Sequence, residues 1–159
     1  MVLLNKTRNV FTVLLLLASI NSSALFAQTD VKVRATTLEP AHQAAYIFKV
    51  VFDSDVSLSS HIEIVFPPAF NLNSTVLAAS DKLDGTLTVK KIKSSLLIKR
   101  VNAQTPIRAG EPVDFRIASI LNPNEMNRDW SFKVIVREND REIEQKELTT
   151  KVEQLTTVN

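Results

Sequence analysis

Apolar and polar side chains alternate with a period of two along most of the sequence after residue 30. The alternation is clearest in residues 46–52, 62–66, 113–117 and 130–136. Successive side chains of a β-strand point to opposite faces, so each of these segments has one apolar face and one polar face. Strands with one apolar face pack as antiparallel sheets on a shared core. The pattern therefore predicts an all-β fold.

Turn-forming residues separate the alternating segments. Pro67 and Pro68 end one of them, because proline cannot donate a hydrogen bond to a strand ladder. Asp84-Gly85 predicts a tight turn before the next segment. The spacing of the turns indicates about eight strands, arranged as a β-sandwich or small barrel. Residues 71–80 fit either an additional strand or a single helical turn.

The beginning of the chain has the layout of a secretory signal peptide. Lys6 and Arg8 precede an apolar run over residues 10–20, and small residues follow it. A transmembrane helix needs about 20 apolar residues, and this run is shorter. We therefore predict a cleavable signal peptide over residues 1–27.

The predicted cleavage position divides the chain into three parts. We expect cleavage between Ala27 and Gln28, because a polar segment follows, with cleavage after Ala24 as the alternative. Residues 28–149 would form one β-sandwich domain, and residues 150–159 a flexible C-terminal tail. The mature protein would be secreted, periplasmic or at the cell surface, with no stable membrane span.

The charge balance does not favour a nucleic-acid partner. The sequence has 19 Lys and Arg against 17 Asp and Glu, and losing Lys6 and Arg8 with the leader lowers the 19 to 17. Nucleic-acid binding depends on a surplus of basic residues, which the mature chain lacks. We interpret the densest basic cluster, residues 90–93 with Lys99 and Arg100, as the solvated faces of two strands. The sequence has no cysteine, so packing alone must stabilise the domain.

Two segments resemble parts of a known fold family. Residues 62–70, IEIVFPPAF, resemble the strand that ends in Phe-Pro before a short aromatic turn in immunoglobulin-like modules of secreted prokaryotic proteins. Residues 117–123, IASILNP, followed by residues 130–134, WSFKV, resemble a later strand, Asn-Pro and strand element of such modules. The resemblance implies an extracellular immunoglobulin-like β-sandwich, and it brings no catalytic or ligand-binding residues.

The sequence offers no catalytic group that can be assigned. A hydrolase needs a nucleophile, a base and an orienting group within reach of each other. The chain has no cysteine, and we interpret its two histidines, His42 and His61, as exposed or structural. Glu63 and Asp114 could form a glycosidase pair, but surface charge is the simpler interpretation. We predict that the protein is not an enzyme and has no cofactor.

Acidic turn residues are the candidates for a metal site. Asp53 and Asp55 lie in one predicted turn, and residues 81–84 place two further aspartates in another. Calcium needs six to eight oxygen ligands, and neither turn has the spacing of a calcium-binding loop. We interpret these aspartates as solvated turn residues and predict no metal site.

The favoured hypothesis is an exported, non-enzymatic β-sandwich that binds a macromolecular partner, a protein or the cell surface, or packs into a surface or periplasmic assembly. Edge strands carry unpaired backbone groups that can capture a partner strand. The first strand, residues 31–37, and the last, residues 141–148, are candidate edges. Charged residues on the last strand would hinder pairing with a partner strand, so we favour the first strand as the binding edge.

The alternative hypothesis is a small-molecule or carbohydrate-binding module that uses strand-end loops. The candidate loops are residues 71–84 and 122–129. Trp130 and Tyr46 are the aromatic residues that could stack on a sugar, but both are in phase with apolar neighbours. We therefore predict that both side chains lie in the core.

Overall fold

A computed structural model describes residues 31–156, which form ten β-strands and no helix. The strands are β1 (Val31–Ala35), β2 (Gln43–Val51), β3 (His61–Val65), β4 (Ala78–Ala79), β5 (Thr86–Ile92), β6 (Ser95–Val101), β7 (Pro112–Leu121), β8 (Trp130–Glu138), β9 (Arg141–Thr150) and β10 (Glu153–Gln154). The all-β prediction is confirmed. Eight of the strands have five residues or more, and β4 and β10 have two each.

The strands form two five-stranded sheets that face each other. The first sheet has the order β10-β1-β2-β7-β4, and the second has the order β5-β6-β3-β8-β9. Neighbouring strands are antiparallel except for β1 and β10, which run parallel. None of the described residues belongs to a helix that is long and apolar enough to cross a membrane. The predicted signal peptide and its cleavage position between Ala27 and Gln28 lie outside the described residues.

The core lies between the sheets and is rich in aromatic rings. Phe66 is at its centre, with ring centroids 5.4 Å from Phe48, 5.6 Å from Phe132, 5.8 Å from Phe70 and 6.0 Å from Tyr46. Most of these rings meet edge to face, which is a favourable arrangement of their quadrupoles. Tyr46, Phe48 and Phe132 are inward residues of strands, Phe66 directly follows β3, and Phe70 comes from the turn after Pro67.

Trp130 and Tyr46 lie in the core, as the alternation predicts. Trp130 is 7% exposed, packs on Phe70, and has the Arg128 guanidinium 4.8 Å from its ring centroid. The fully buried Tyr46 donates its hydroxyl to the side-chain oxygen of Asn122 at 2.5 Å. Neither ring therefore offers an open face for stacking on a sugar.

The C-terminal segment differs from the prediction of a flexible tail from residue 150. Strand β9 continues to Thr150, Val152 is buried, and β10 pairs with β1. The Leu155 backbone N–H donates to the Ala35 carbonyl at 2.8 Å. The folded domain thus extends to at least residue 155, because the buried valine and the ladder hydrogen bonds attach this polar segment to the first sheet.

The segment over residues 71–80 contains an isolated bridge, a hydrogen-bonded turn from Leu72 to Thr75, and the two-residue strand β4, so each of the two interpretations holds for part of it. Asn71 makes an isolated antiparallel bridge to Leu121, and β4 pairs with β7 further along. The segment therefore completes one edge of the first sheet.

Candidate functional site

The two carboxylates that could have formed a glycosidase pair are not brought together. Glu63 is on β3 of the second sheet and Asp114 is on β7 of the first, and both alternate with buried neighbours. Their side chains therefore lie on opposite outer faces of the sandwich. Each has its own cation: Arg137 is 2.8 Å from Glu63, and Arg116 is 3.5 Å from Asp114. This geometry gives no pair for glycoside chemistry.

The acidic turn residues have partners within the protein. Asp53 pairs with Lys146, Asp55 with Arg108, Asp81 with Arg116, and Asp84 with the backbone N–H groups of Gln104 and Thr105. Hydrogen bonds from backbone N–H groups, Ala109 to Asp55 and Gln104 to Asp84, are the main reason that the pKa values of these two carboxyls are lowered. Across residues 31–156, no cluster of three or more acidic or histidine side chains could hold a metal ion.

The two histidines lie far apart in the topology. His42 is exposed between β1 and β2, with its Nδ1 atom 3.0 Å from the Pro40 carbonyl oxygen. His61 begins β3 on the second sheet, beside Lys99 and Arg137 on the neighbouring strands. The structure does not bring them together.

The two strand-end loops of the small-molecule hypothesis begin side by side, because Asn71, the first residue of one loop, bridges Leu121, the residue just before the other. A groove of about 500 Å³ lies beside the second loop, where Met126 lines it together with Leu38, Pro40 and Val152. Its apolar lining comes from the second loop, the β1–β2 connection and the C-terminal segment, and not from residues 71–84.

The edge of the first strand, the favoured candidate for an open edge, is occupied in part. Strand β10 pairs with Arg34 and Ala35, and Arg34 also forms an ion pair with Glu153 at 3.2 Å. The C-terminal segment therefore occupies this edge at Arg34 and Ala35. The signal for it in the sequence was weak, since Val152 is the one apolar residue between Leu148 and Leu155.

The other candidate edge, β9, lies at one end of the second sheet with its charges engaged. Glu147 pairs with Lys133 at 3.2 Å. The Glu144 carboxylate accepts hydrogen bonds from the backbone N–H groups of Asp53 and Ser54 at 2.8 and 3.1 Å. These contacts attach β9 to β8 and to the β2–β3 connection.

Strand β5 forms the opposite edge of the second sheet and is the most exposed of the longer strands that carry lysines. Its inner side chains, Leu87 and Val89, are partly buried against the core, so the residues that alternate with them point outward. We define the β5–β6 face as the outward side chains of Lys90 and Ile92 on β5 and of Leu97, Lys99 and Val101 on β6. Ile92 and Val101 are 44% and 42% exposed.

The lysines of the β5–β6 face have no counter-charge among the residues that the structure describes. Within the part of the chain that the structure describes, the ammonium groups of Lys90 and Lys99 make no hydrogen bond or ion pair. The cations further across the same sheet do have partners, as Lys133 with Glu147 and Arg137 with Glu63 show. The β5–β6 face is therefore a basic surface with exposed aliphatic side chains.

Arg100 is buried, so the interpretation of the whole basic cluster as solvated is wrong for this residue. Its side chain is 4% exposed, because it alternates with Lys99 and points to the inner side of β6. The guanidinium Nη1 donates to the Thr105 carbonyl at 2.8 Å and lies 3.5 Å from Asp84, while burial lowers its pKa. Arg100 thus organises the β6–β7 connection and does not contribute to the outer face.

Glu63 makes the stability of this sheet depend on pH. Burial alone would raise its pKa, but hydrogen bonds from Arg137 and Ser95 and the charge of Arg137 outweigh that effect and lower the pKa. A carboxyl whose pKa is lower in the folded than in the unfolded state stabilises the fold above the unfolded pKa, and loses that contribution as pH falls through the folded pKa.

We expect the free energy of unfolding to fall as the pH is lowered from about 5 to below 4, where glutamates of ordinary pKa of about 4.3 protonate. Glu63→Gln should flatten this dependence, as measured by urea denaturation at a series of pH values. Glu125→Gln, at an exposed carboxyl in the β7–β8 loop, is the matched control and should leave the dependence unchanged. Equal flattening in both variants would contradict the role of Glu63.

Comparisons with known proteins give structural similarity without sequence similarity. Neither the family models nor the curated proteins gave a match. Among solved structures, an uncharacterized protein from Nocardia farcinica with an immunoglobulin-like fold is 12% identical, with a TM-score of 0.47, covering 78% of this chain and 98% of its own. The collagen-binding subdomain of the Enterococcus faecalis surface protein ACE is 11% identical, with a TM-score of 0.41, covering 79% and 97%.

Both TM-scores are below 0.5, so these similarities say nothing about ligands or role. The class itself follows from the arrangement of the strands. Two facing, mainly antiparallel sheets enclose one core, and the chain passes repeatedly from one sheet to the other. The protein is an immunoglobulin-like β-sandwich, as the resemblance of residues 62–70 and 117–134 implies.

Proposed function

We propose that the protein is an exported, non-enzymatic binding module that recognises an acidic surface of another protein through its β5–β6 face. The observation that supports this proposal is the combination of two lysines, Lys90 and Lys99, that have no ion-pair partner among residues 31–156 with the exposed aliphatic side chains of Ile92 and Val101 beside them. Export rests on the predicted signal peptide over residues 1–27.

The two kinds of side chain on the β5–β6 face would have different effects on binding. Unpaired lysines attract an acidic partner and raise the rate of association, and they disfavour basic surfaces. Exposed aliphatic side chains contribute affinity when a partner removes them from water. The cross-strand register places Lys90 opposite Leu97, so charge and apolar surface are adjacent. An acidic partner with an apolar centre would complement both.

Carbohydrate binding has less support. Aromatic faces are the usual platform for a sugar ring, and both Trp130 and Tyr46 are buried. The groove beside Met126 has polar side chains in its lining but no aromatic one. We therefore favour a protein partner.

Reversing the two lysine charges tests the proposal. We expect Lys90→Glu combined with Lys99→Glu to weaken binding at least about tenfold, because attraction is replaced by repulsion. The partner would be captured from an envelope extract of the producing cells by the unaltered protein, identified, purified and measured by biolayer interferometry. Binding by the unaltered protein should also weaken as salt is added.

The matched control is Lys32→Glu combined with Lys49→Glu. These two lysines are also exposed and lie opposite each other, but on the outer face of the first sheet. The control should bind within about twofold of the unaltered protein. Equal losses in the two double variants, or none in either, would overturn the proposal for the β5–β6 face.

A further inference from the structure

The outer edge of β5 has no hydrogen-bonded neighbour among the described strands. All seven residues of β5 pair with β6, and within residues 31–156 no strand pairs with its other side. An edge of this kind presents a row of backbone N–H and C=O groups to which another strand can bond.

The hairpin register identifies which backbone groups point outward. Lys93 and Ser94 form the two-residue turn between β5 and β6, so the closing pair, Ile92 and Ser95, exchanges both of its backbone hydrogen bonds. Residues of β6 that do not bond to β5 should point their backbone groups toward β3. The hydrogen bond from the Phe66 N–H, just after β3, to the Ser94 carbonyl, just before β6, agrees with this alternation.

Because hydrogen-bonded pairs alternate along an antiparallel ladder, alternate β5 residues back from Ile92 bond to β6. The N–H and C=O groups of Leu87, Val89 and Lys91 consequently point away from β6. Three residues on β5 can therefore accept a new strand without breaking a bond to β6.

The side chains along this edge specify what kind of strand would fit. On the outer side, the added strand would lie next to Lys90, and acidic residues there would supply the missing counter-charge. On the inner side, it would lie next to the partly buried Leu87 and Val89, where apolar residues would extend the core. A segment that alternates acidic and apolar residues meets both conditions.

Exposed aliphatic side chains adjoin the same edge. Strand β4, at the edge of the first sheet, packs beside β5 on this side of the sandwich. Just before β4, Val76 and Leu77 are 80% and 59% exposed, and Lys91 donates a hydrogen bond to Asn73 in the same segment. The inward side chains of an added strand would therefore lie next to the exposed aliphatic side chains beside β4 as well as next to those of β5.

We propose that the partner contributes an extended segment of alternating acidic and apolar residues, which pairs with the outer edge of β5 as a sixth strand of the second sheet. This inference rests on the proposed function and specifies how the partner is bound. The lysines of β5 select against a second copy of the same strand, because two such edges would bring like charges together.

Hydrogen exchange at single amides tests this pairing directly. The probe is a blocked heptapeptide of alternating glutamate and valine, matched in length to β5, added to 15N-labelled protein comprising residues 28–159. We expect saturable binding, with the exchange of the Leu87, Val89 and Lys91 amides slowed at least tenfold. The Thr88 and Lys90 amides, already bonded to β6, should change little. A peptide of the same composition with four glutamates followed by three valines should not slow the three amides.

Several results would overturn the pairing. One is saturable peptide binding with the three amides left unprotected, and another is no binding at millimolar peptide. A third is protection of the three amides without peptide together with a dimer in sedimentation velocity, which would assign the edge to a second copy.

The same exchange measurement with the purified natural partner separates this inference from the proposed function. Binding that depends on Lys90 and Lys99 while the three amides stay unprotected would retain the proposed function and refute the added strand. Binding unaffected by the lysine reversals would refute the proposed function, whatever the peptide does.

Discussion

Replacing Phe66 with alanine should lower the free energy of unfolding by about 3–5 kcal/mol. The ring is 1% exposed and contacts four other aromatic rings from both sheets. The substitution removes the transfer free energy of a buried phenyl group and leaves a cavity where the two sheets meet. Its neighbours Phe70 and Phe132, which contact four and three aromatic rings, would have to move to fill the space.

Urea denaturation followed by far-ultraviolet circular dichroism measures this loss. Phe66→Leu should lose less, because it retains much of the apolar volume. Val76→Ala, at a side chain that is 80% exposed, should stay within about 0.5 kcal/mol of the unaltered protein. A loss below about 1 kcal/mol for Phe66→Ala would contradict the packing between the sheets.

Asn122→Ala should lower the free energy of unfolding by about 2–4 kcal/mol, because it leaves several buried polar groups unpaired. The Asn122 side chain is buried, accepts the Tyr46 hydroxyl, and donates to the carbonyls of Thr37 and Glu39 at 3.1 and 2.9 Å. It therefore attaches the β1–β2 connection to the end of β7. Burial also raises the pKa of Tyr46, so its hydroxyl stays protonated and donates to this asparagine.

A double-mutant cycle with Tyr46→Phe isolates the hydroxyl–amide contact. The two substitutions should be less than additive, because either one removes the same hydrogen bond. Asn124→Ala, at an exposed asparagine in the same loop, is the matched control and should change stability by less than about 0.5 kcal/mol. Full additivity in the cycle would contradict the contact between Tyr46 and Asn122.

The faces of the strands could be predicted because the alternation of side chains is a local property. Tyr46 and Trp130 lie in the core, as their phase with Phe48 and Phe132 predicts. The same rule, applied residue by residue, would have placed Arg100 on the inner side of β6, opposite to Lys99. The cluster was instead interpreted by its charge, and a single buried guanidinium could not be recognised without its partners at Asp84 and Thr105.

The order of the strands could not be predicted from alternation, because a period of two says nothing about which strand lies alongside which. The alternation therefore gives no sign that β10 returns to pair with the first strand at Arg34 and Ala35. The same limit applies to the β5–β6 face. Lysines at positions 90 and 99 are visible in the sequence, but only the register shows that Lys133 and Arg137 have acidic partners while these two do not.

The parallel pairing of β1 with β10 has a mechanical consequence. Arg34 and Ala35 lie beside Glu153 and Gln154 in the same direction, so tension on the chain before β1 and after β10 would act along the paired segments. The bonds between them would be loaded together in shear, and would not open one after another as in a zipper. A module pulled at its two ends would thus resist extension through the pairing of β1 with β10 at the edge of its first sheet.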